Sequence, residues 1–145
     1  ELSWLPSYGP EMRGGTASCS VTISDESVGS PIIDNPDVLI VMNLPSLDKY
    51  EKTVKKGGTI FVDSTLIERK VERDDVRAFY IPCTKMAQDM GTPNLANIIL
   101  LGKVLKECPE IGMAGMEDAL KKVVAKHPEM YEVNLKAVEA GYNYQ

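Results

Sequence analysis

The sequence predicts an α/β fold in three layers, with helices on both faces of a mostly parallel, mixed sheet. Three observations predict it. The run Val38-Leu39-Ile40-Val41-Met42 is apolar throughout, the pattern of a central strand buried on both faces. Leu47, Tyr50 and Val54 then recur at helical spacing before Gly57-Gly58, and Thr59-Ile60-Phe61-Val62 follows as a second strand. Strand, helix and strand in this order make a parallel pair with a right-handed crossover. Ala78-Phe79-Tyr80-Ile81, broken by Pro82, is a third such strand with helical patterns after it. A chain of 145 residues fits one domain, residues 1–145.

Taken in order, Leu2-Ser3-Trp4-Leu5 is a short extended segment that runs into a loop rich in glycine. Ala17 to Ile23 alternates small or polar residues with Cys19, Val21 and Ile23, the period of a half-buried strand. With no helix before it, this strand pairs antiparallel at the sheet edge or forms a hairpin-like insertion. Ser46 is expected to cap the first helix, with Asp48 and Glu51 in its first turn and Lys55 and Lys56 in its last. Glu68 to Arg77 is dense in charge and reads as a solvated loop or edge. Met86, Ala87 and Met90 mark a short helix stopped by Gly91. Thr92-Pro93 opens the next helix, Asn94 to about Glu107, which is apolar on most sides and therefore buried. Met116, Ala119, Leu120, Val123 and Val124 form an amphipathic stripe, and Glu129 to Ala140 makes a last helix ended by Gly141. The aromatic tail Tyr142-Asn143-Tyr144 rests on its own domain or on a partner.

The net charge of −5 argues against nucleic acid or an anionic membrane as the main partner. No apolar run approaches the roughly 20 residues of a membrane span, and no secretory leader is visible. The three cysteines, Cys19, Cys83 and Cys108, are far apart and form no Cys-x-x-Cys pair, so no metal or cluster site is encoded locally. They fit a reducing, cytoplasmic setting. His127, before Pro128, reads as a surface residue at a helix end.

Ser7-Tyr8-Gly9-Pro10-Glu11-Met12-Arg13-Gly14-Gly15 is the densest concentration of unusual residues. Its glycines leave backbone N–H groups uncovered, and Arg13 adds a fixed charge with five donors. It suits an anion or a partner loop; a tight turn closed by a Glu11–Arg13 ion pair is the plainer reading. Ligands of open α/β sheets lie beyond the carboxyl ends of the strands. Those ends are Tyr8 to Gly15, Asn43, Asp63-Ser64-Thr65 and Cys83-Thr84. Asn43 and Ser64 could hydrogen-bond a ligand there, and Arg13 or Lys85 could hold a phosphate. Asn43 and Asp63 equally suit turns, and Thr84 an N-cap. Cys83 would be a nucleophile only if a helix N-terminus lowered its pKa. There is no Gly-x-Ser-x-Gly elbow, no phosphate-binding Walker word and no His-Glu-x-x-His, so no catalytic residue is assigned.

The opening loop, followed by Ala17-Ser18-Cys19-Ser20-Val21-Thr22-Ile23-Ser24-Asp25, resembles the γ subunit of the 2-oxoacid:ferredoxin oxidoreductases, which act on pyruvate, 2-oxoglutarate or 2-oxoisovalerate. Ser30-Pro31-Ile32, Pro36-Asp37-Val38-Leu39, Met42-Asn43, Gly57-Gly58 and Asp63-Ser64 are similar to words of that family. So are Ala96-Asn97-Ile98, Leu101-Gly102, Asn134-Leu135 and Gly141-Tyr142. The resemblance covers nearly the whole chain, and the opening loop is its most specific part. It implies a Rossmann-like γ domain like that of pyruvate:ferredoxin oxidoreductase. It also implies a subunit that is inactive alone. Thiamine diphosphate, Mg2+ and 4Fe–4S clusters would then lie in partner α, β and, where present, δ subunits, with ferredoxin taking the electrons. A coenzyme A pocket would be shared, which makes Tyr8, Gly9, Arg13, Gly14, Gly15, Asn43 and Ser64 candidates for the coenzyme A path or a subunit interface. 2-Oxoglutarate and branched-chain 2-oxoacids are favoured over pyruvate. The sequence departs from the family's pattern at its start, where a strand and glycine-rich turn feeding a first helix are expected. Two other functions fit the residues: an independent Rossmann-like module for a nucleotide or phosphate ligand, or a purely architectural interaction domain.

Overall fold

The computed structural model describes residues 1–7 and 17–145. Strands β1 (Leu2–Ser7) and β2 (Ser18–Ile23) pair antiparallel as a hairpin and form their own two-stranded sheet. Strands β3 (Val38–Val41), β4 (Thr59–Asp63) and β5 (Arg77–Ile81) form a separate, wholly parallel sheet in the order β3-β4-β5. The hairpin-like insertion is therefore the form the second strand takes. Its apolar residues Val21 and Ile23 face water, the reverse of the half-buried pattern.

The middle strand of the parallel sheet is β4, and all five of its residues are buried. Ile60 and Val62 point to one face, where they pack with Val41, Leu47, Val54 and Ile67 under helix α1 (Leu44–Tyr50). Phe61 points to the other and packs with Ile81, Cys83, Ile99, Leu100, Val104 and Ala137. That face is covered by α2 (Cys83–Asp89), α3 (Ala96–Glu107) and α5 (Tyr131–Asn143). Burial on both faces explains the unbroken apolar run of β4. The similar run of β3 had suggested a central strand. Among the described residues β3 is an edge, and Ile40 is 47% exposed.

Asn43, not Ser46, caps α1: the Ser46 amide donates to Asn43 Oδ1 at 2.9 Å. Helix α3 begins only at Ala96, after a 3₁₀ turn over Pro93–Leu95. Thr92 makes no side-chain capping bond. Helix α4 (Met116–Val123) buries Met116 and Leu120 against α5 but leaves Val123 in water. Helix α5 does not stop at Gly141; it runs on to Asn143, and Gly141 is a contact point with α3. Tyr144 packs against the core, its carbonyl accepting from Lys103 Nζ at 3.0 Å. His127 is exposed, beside Glu129.

The charged stretch before β5 is pinned rather than solvated. Arg69 bridges Asp48 at 3.0 Å and Glu51 at 2.7 Å. Arg73 donates to the Glu51 and Val54 carbonyls and pairs with Asp75 at 2.7 Å. Tyr80 Oη accepts the Val71 amide at 2.9 Å. Burial alone would raise the pKa of Glu51, but the Arg69 bond and the Glu72 amide outweigh it and hold the carboxyl below its usual range. A lowered carboxyl pKa adds stability above the unfolded value, near pH 4.3, and that stability is lost as pH falls through the folded value. Glu51→Gln is therefore expected to melt lower than the parent at neutral pH and to lose less on going from about pH 5 to about pH 3. Equal losses in parent and variant across that range would contradict the assignment.

Candidate functional site

Because β3, β4 and β5 are parallel, their carboxyl ends meet on one edge of the sheet. The register pairs Val41 with Val62 and Asp63 with Ile81, which brings Asn43, Ser64 and Thr84 to that edge together. The end of β1 does not join them through the sheet, since β1 belongs to the antiparallel hairpin. Tyr8, Gly9, Arg13, Gly14 and Gly15 lie outside the described residues, in the segment that links β1 to β2.

The edge is organised by Asp63, which is fully buried. One carboxylate oxygen accepts the Thr65 amide at 3.0 Å, and the other accepts the Thr84 hydroxyl. The Asp63 carbonyl accepts the amide of Ile67 at 3.1 Å. Asp63 thus forms the turn expected of it and also ties β4 to the start of α2. Thr84 serves Asp63 and is not a cap; Pro82 stands at the N-cap position of α2. A second tie runs from the Lys85 amide to Thr65 Oγ1 at 3.1 Å. Neither bond was legible in the sequence, because each joins residues about 20 positions apart.

The chemistry available here is positioning. Asp63 is sealed from water and cannot reach a substrate. Cys83 is also fully buried, and burial, followed by the neighbouring Asp63 carboxylate, raises its pKa far above the ordinary thiol value. The helix start does not overcome these effects, so Cys83 is an inert core thiol. Lys85, a sequence candidate for phosphate, pairs with Asp89 at 2.6 Å one helical turn on. Asn43 spends its side-chain oxygen on its own helix. Ser64 is half-exposed at the rim, its amide donating to the Ile81 carbonyl at 3.0 Å. Exposed Leu44 and Leu66 stand at the same rim. The edge thus presents two polar residues, Asn43 and Ser64, each with an exposed leucine within two positions of it in the chain.

Comparison with known proteins shows what the whole chain is similar to. The family profile described as pyruvate ferredoxin/flavodoxin oxidoreductase matches residues 1–144. The ketoisovalerate oxidoreductase subunit VorA of Methanothermobacter marburgensis is 37% identical over 147 residues, covering 98% of this chain. The chain spans only 30% of that relative's length. The 2-oxoglutarate synthase subunit KorC of Methanocaldococcus jannaschii is 37% identical and covers 94% of this chain and 73% of its own. Among solved structures, the γ subunit of a keto/oxoacid ferredoxin oxidoreductase from Geobacter sulfurreducens superposes with a TM-score of 0.75 at 31% identity. It covers 98% of this chain and 78% of its own.

Proposed function

Since the chain belongs to the pyruvate ferredoxin/flavodoxin oxidoreductase family, we propose that it is the γ-type component of a 2-oxoacid:ferredoxin oxidoreductase. The observation that carries this reading is similarity over nearly the whole chain to both VorA and KorC subunits, at 37% identity each. The complete enzyme would convert a 2-oxoacid and coenzyme A to an acyl-CoA, carbon dioxide and a proton, passing two electrons to ferredoxin. Thiamine diphosphate and 4Fe–4S clusters, held by partner subunits, would supply the carbanion and electron-transfer chemistry. The two kinds of relative favour a branched-chain 2-oxoacid or 2-oxoglutarate over pyruvate.

In this reading the chain's own residues bind and position. Arg13 would clamp a coenzyme A phosphate, and Asn43 and Ser64 would offer hydrogen bonds at the carboxyl edge. Arg13→Ala is expected to raise the KM for coenzyme A about tenfold with kcat little changed, the loss of one charge-assisted hydrogen bond. If the loop only docks a neighbour, both constants stay put and the complex dissociates more readily. The substrate is tested on the complex purified without oxygen, by coenzyme-A-dependent dye reduction with 2-oxoisovalerate, 2-oxoglutarate and pyruvate. The highest kcat/KM is expected for one of the first two; preference for pyruvate would overturn the substrate assignment.

A further inference from the structure

We propose that the carboxyl edge of the β3-β4-β5 sheet takes an uncharged, amide-bearing stretch of the ligand and not its phosphates. The inference rests on the coenzyme A reading above and assigns to this edge the pantetheine arm of that molecule. A phosphate at such an edge is ordinarily held by free amides at a helix N-terminus or by a cation. Here those groups already have partners. In α1 the second residue is Pro45, which has no N–H, and the third amide, that of Ser46, donates to Asn43 Oδ1 at 2.9 Å. In α2 the second amide, that of Thr84, faces Asp63 Oδ1 at 3.5 Å, and the third, that of Lys85, donates to Thr65 Oγ1 at 3.1 Å. The Lys85 ammonium is held by both carboxylate oxygens of Asp89, at 2.6 and 2.8 Å.

Charge points the same way. The Asp63 carboxylate is buried at this edge, and among the described residues it is held by amides and a hydroxyl rather than by a cation. Its negative charge repels an anion placed there. A phosphate lowered onto the edge would need a compensating cation. What remains to meet a ligand is neutral. Asn43 is exposed and uses its Oδ1 in capping, which leaves the Nδ2 group to donate. Ser64 is half-exposed; its amide donates to the Ile81 carbonyl, and its hydroxyl makes no bond among the described residues. An amide donor and a hydroxyl that both donates and accepts complement amide carbonyl, amide N–H and hydroxyl groups. Exposed Leu44 and Leu66, within two positions of Asn43 and Ser64, offer contact to methyl and methylene groups. A pantetheine arm carries all of these groups and no charge.

The test is made on the complex purified without oxygen, at about 0.3 M salt so that distant charges are screened. Coenzyme A is compared with pantetheine, which lacks the phosphates, as acyl acceptor or as competitive inhibitor. Ser64→Ala removes the hydroxyl. Asn43→Asp keeps a capping oxygen for the Ser46 amide and removes the Nδ2 donor. Each is expected to raise KM or Ki for coenzyme A and for pantetheine by a similar factor, about fivefold for one lost hydrogen bond, with kcat little changed. Lys85→Ala is expected to shift neither constant by more than about twofold. A rise for coenzyme A alone in any of the three variants would put a phosphate at this edge and overturn the proposal. Unchanged constants in both Ser64→Ala and Asn43→Asp would overturn it as well, and in either case the subunit reading stands. A parent complex without coenzyme-A-dependent activity overturns the subunit reading and the proposal together.

Discussion

Gly141→Ala is expected to lower the melting temperature of the chain by about 10 °C, the equivalent of about 3 kcal/mol in a domain of this size. Helices α3 and α5 cross in backbone contact, and the contact is reciprocal. A Cβ added at Gly141 would overlap the Ile99 carbonyl of α3, and one at Gly102 would overlap the Val138 carbonyl of α5. The obstacle is main chain in both cases, so no rotamer change relieves it. Alanine would gain about 1 kcal/mol of helix propensity over glycine, and separating the two helices costs more. The contact joins two of the layer's core helices, so a forced separation loosens Ile99, Val138 and Ala137 together. Gly102→Ala is expected to act similarly. Gly29→Ala is the control: nothing lies within 4 Å of its added Cβ, and a shift of about 0.5 kcal/mol or less is expected. A Gly141→Ala chain melting with the control would mean the helices are not in backbone contact.

Asp63→Ala is the second large effect, about 3 kcal/mol of lost stability. The substitution strips acceptors from the Thr65 amide and the Thr84 hydroxyl, two part-buried bonds to a charged group that contribute about 1.5–3 kcal/mol each. Asp63→Asn keeps an acceptor oxygen for the Thr65 amide, and the Thr84 hydroxyl can turn to meet its partner. It is expected to recover more than half of the loss. Thr84→Val removes the hydroxyl from the same bond and is expected to fall between the two. Denaturant midpoints of the three variants check the order. Equal losses for alanine and asparagine would show that charge, rather than the hydrogen-bond count, holds the edge.

These two positions also mark where the sequence could be read and where it could not. The strand–helix–strand unit from Val38 to Val62 was legible, because period and length are local properties and β4 is buried on both sides. Neighbours in a sheet are not local, which is why β3 read as central and lies at an edge. Gly141 read as a helix stop because a capping glycine and a contact glycine look alike in one sequence; Ile99, which distinguishes them, is on another helix. Alternation fixed the period of β2 but not which face meets water, so the outward Val21 and Ile23 came as a reversal. Arg69 and Arg73 looked like solvated charge until the fold brought Glu51 and Asp75 against them. At the candidate site, Asn43 and Ser64 were legible as strand ends, and parallel pairing put them on one edge. Asp63, which organises that edge, was legible only as a turn residue, because its bond to Thr84 depends on β5 lying beside β4.

We infer that this chain is a required component of a 2-oxoacid:ferredoxin oxidoreductase. Its most direct test is to assemble the other subunits anaerobically with and without the chain and to follow 2-oxoacid- and coenzyme-A-dependent reduction of ferredoxin. Background rates are expected without the chain and full rates on adding it back. Full activity in its absence would contradict the claim.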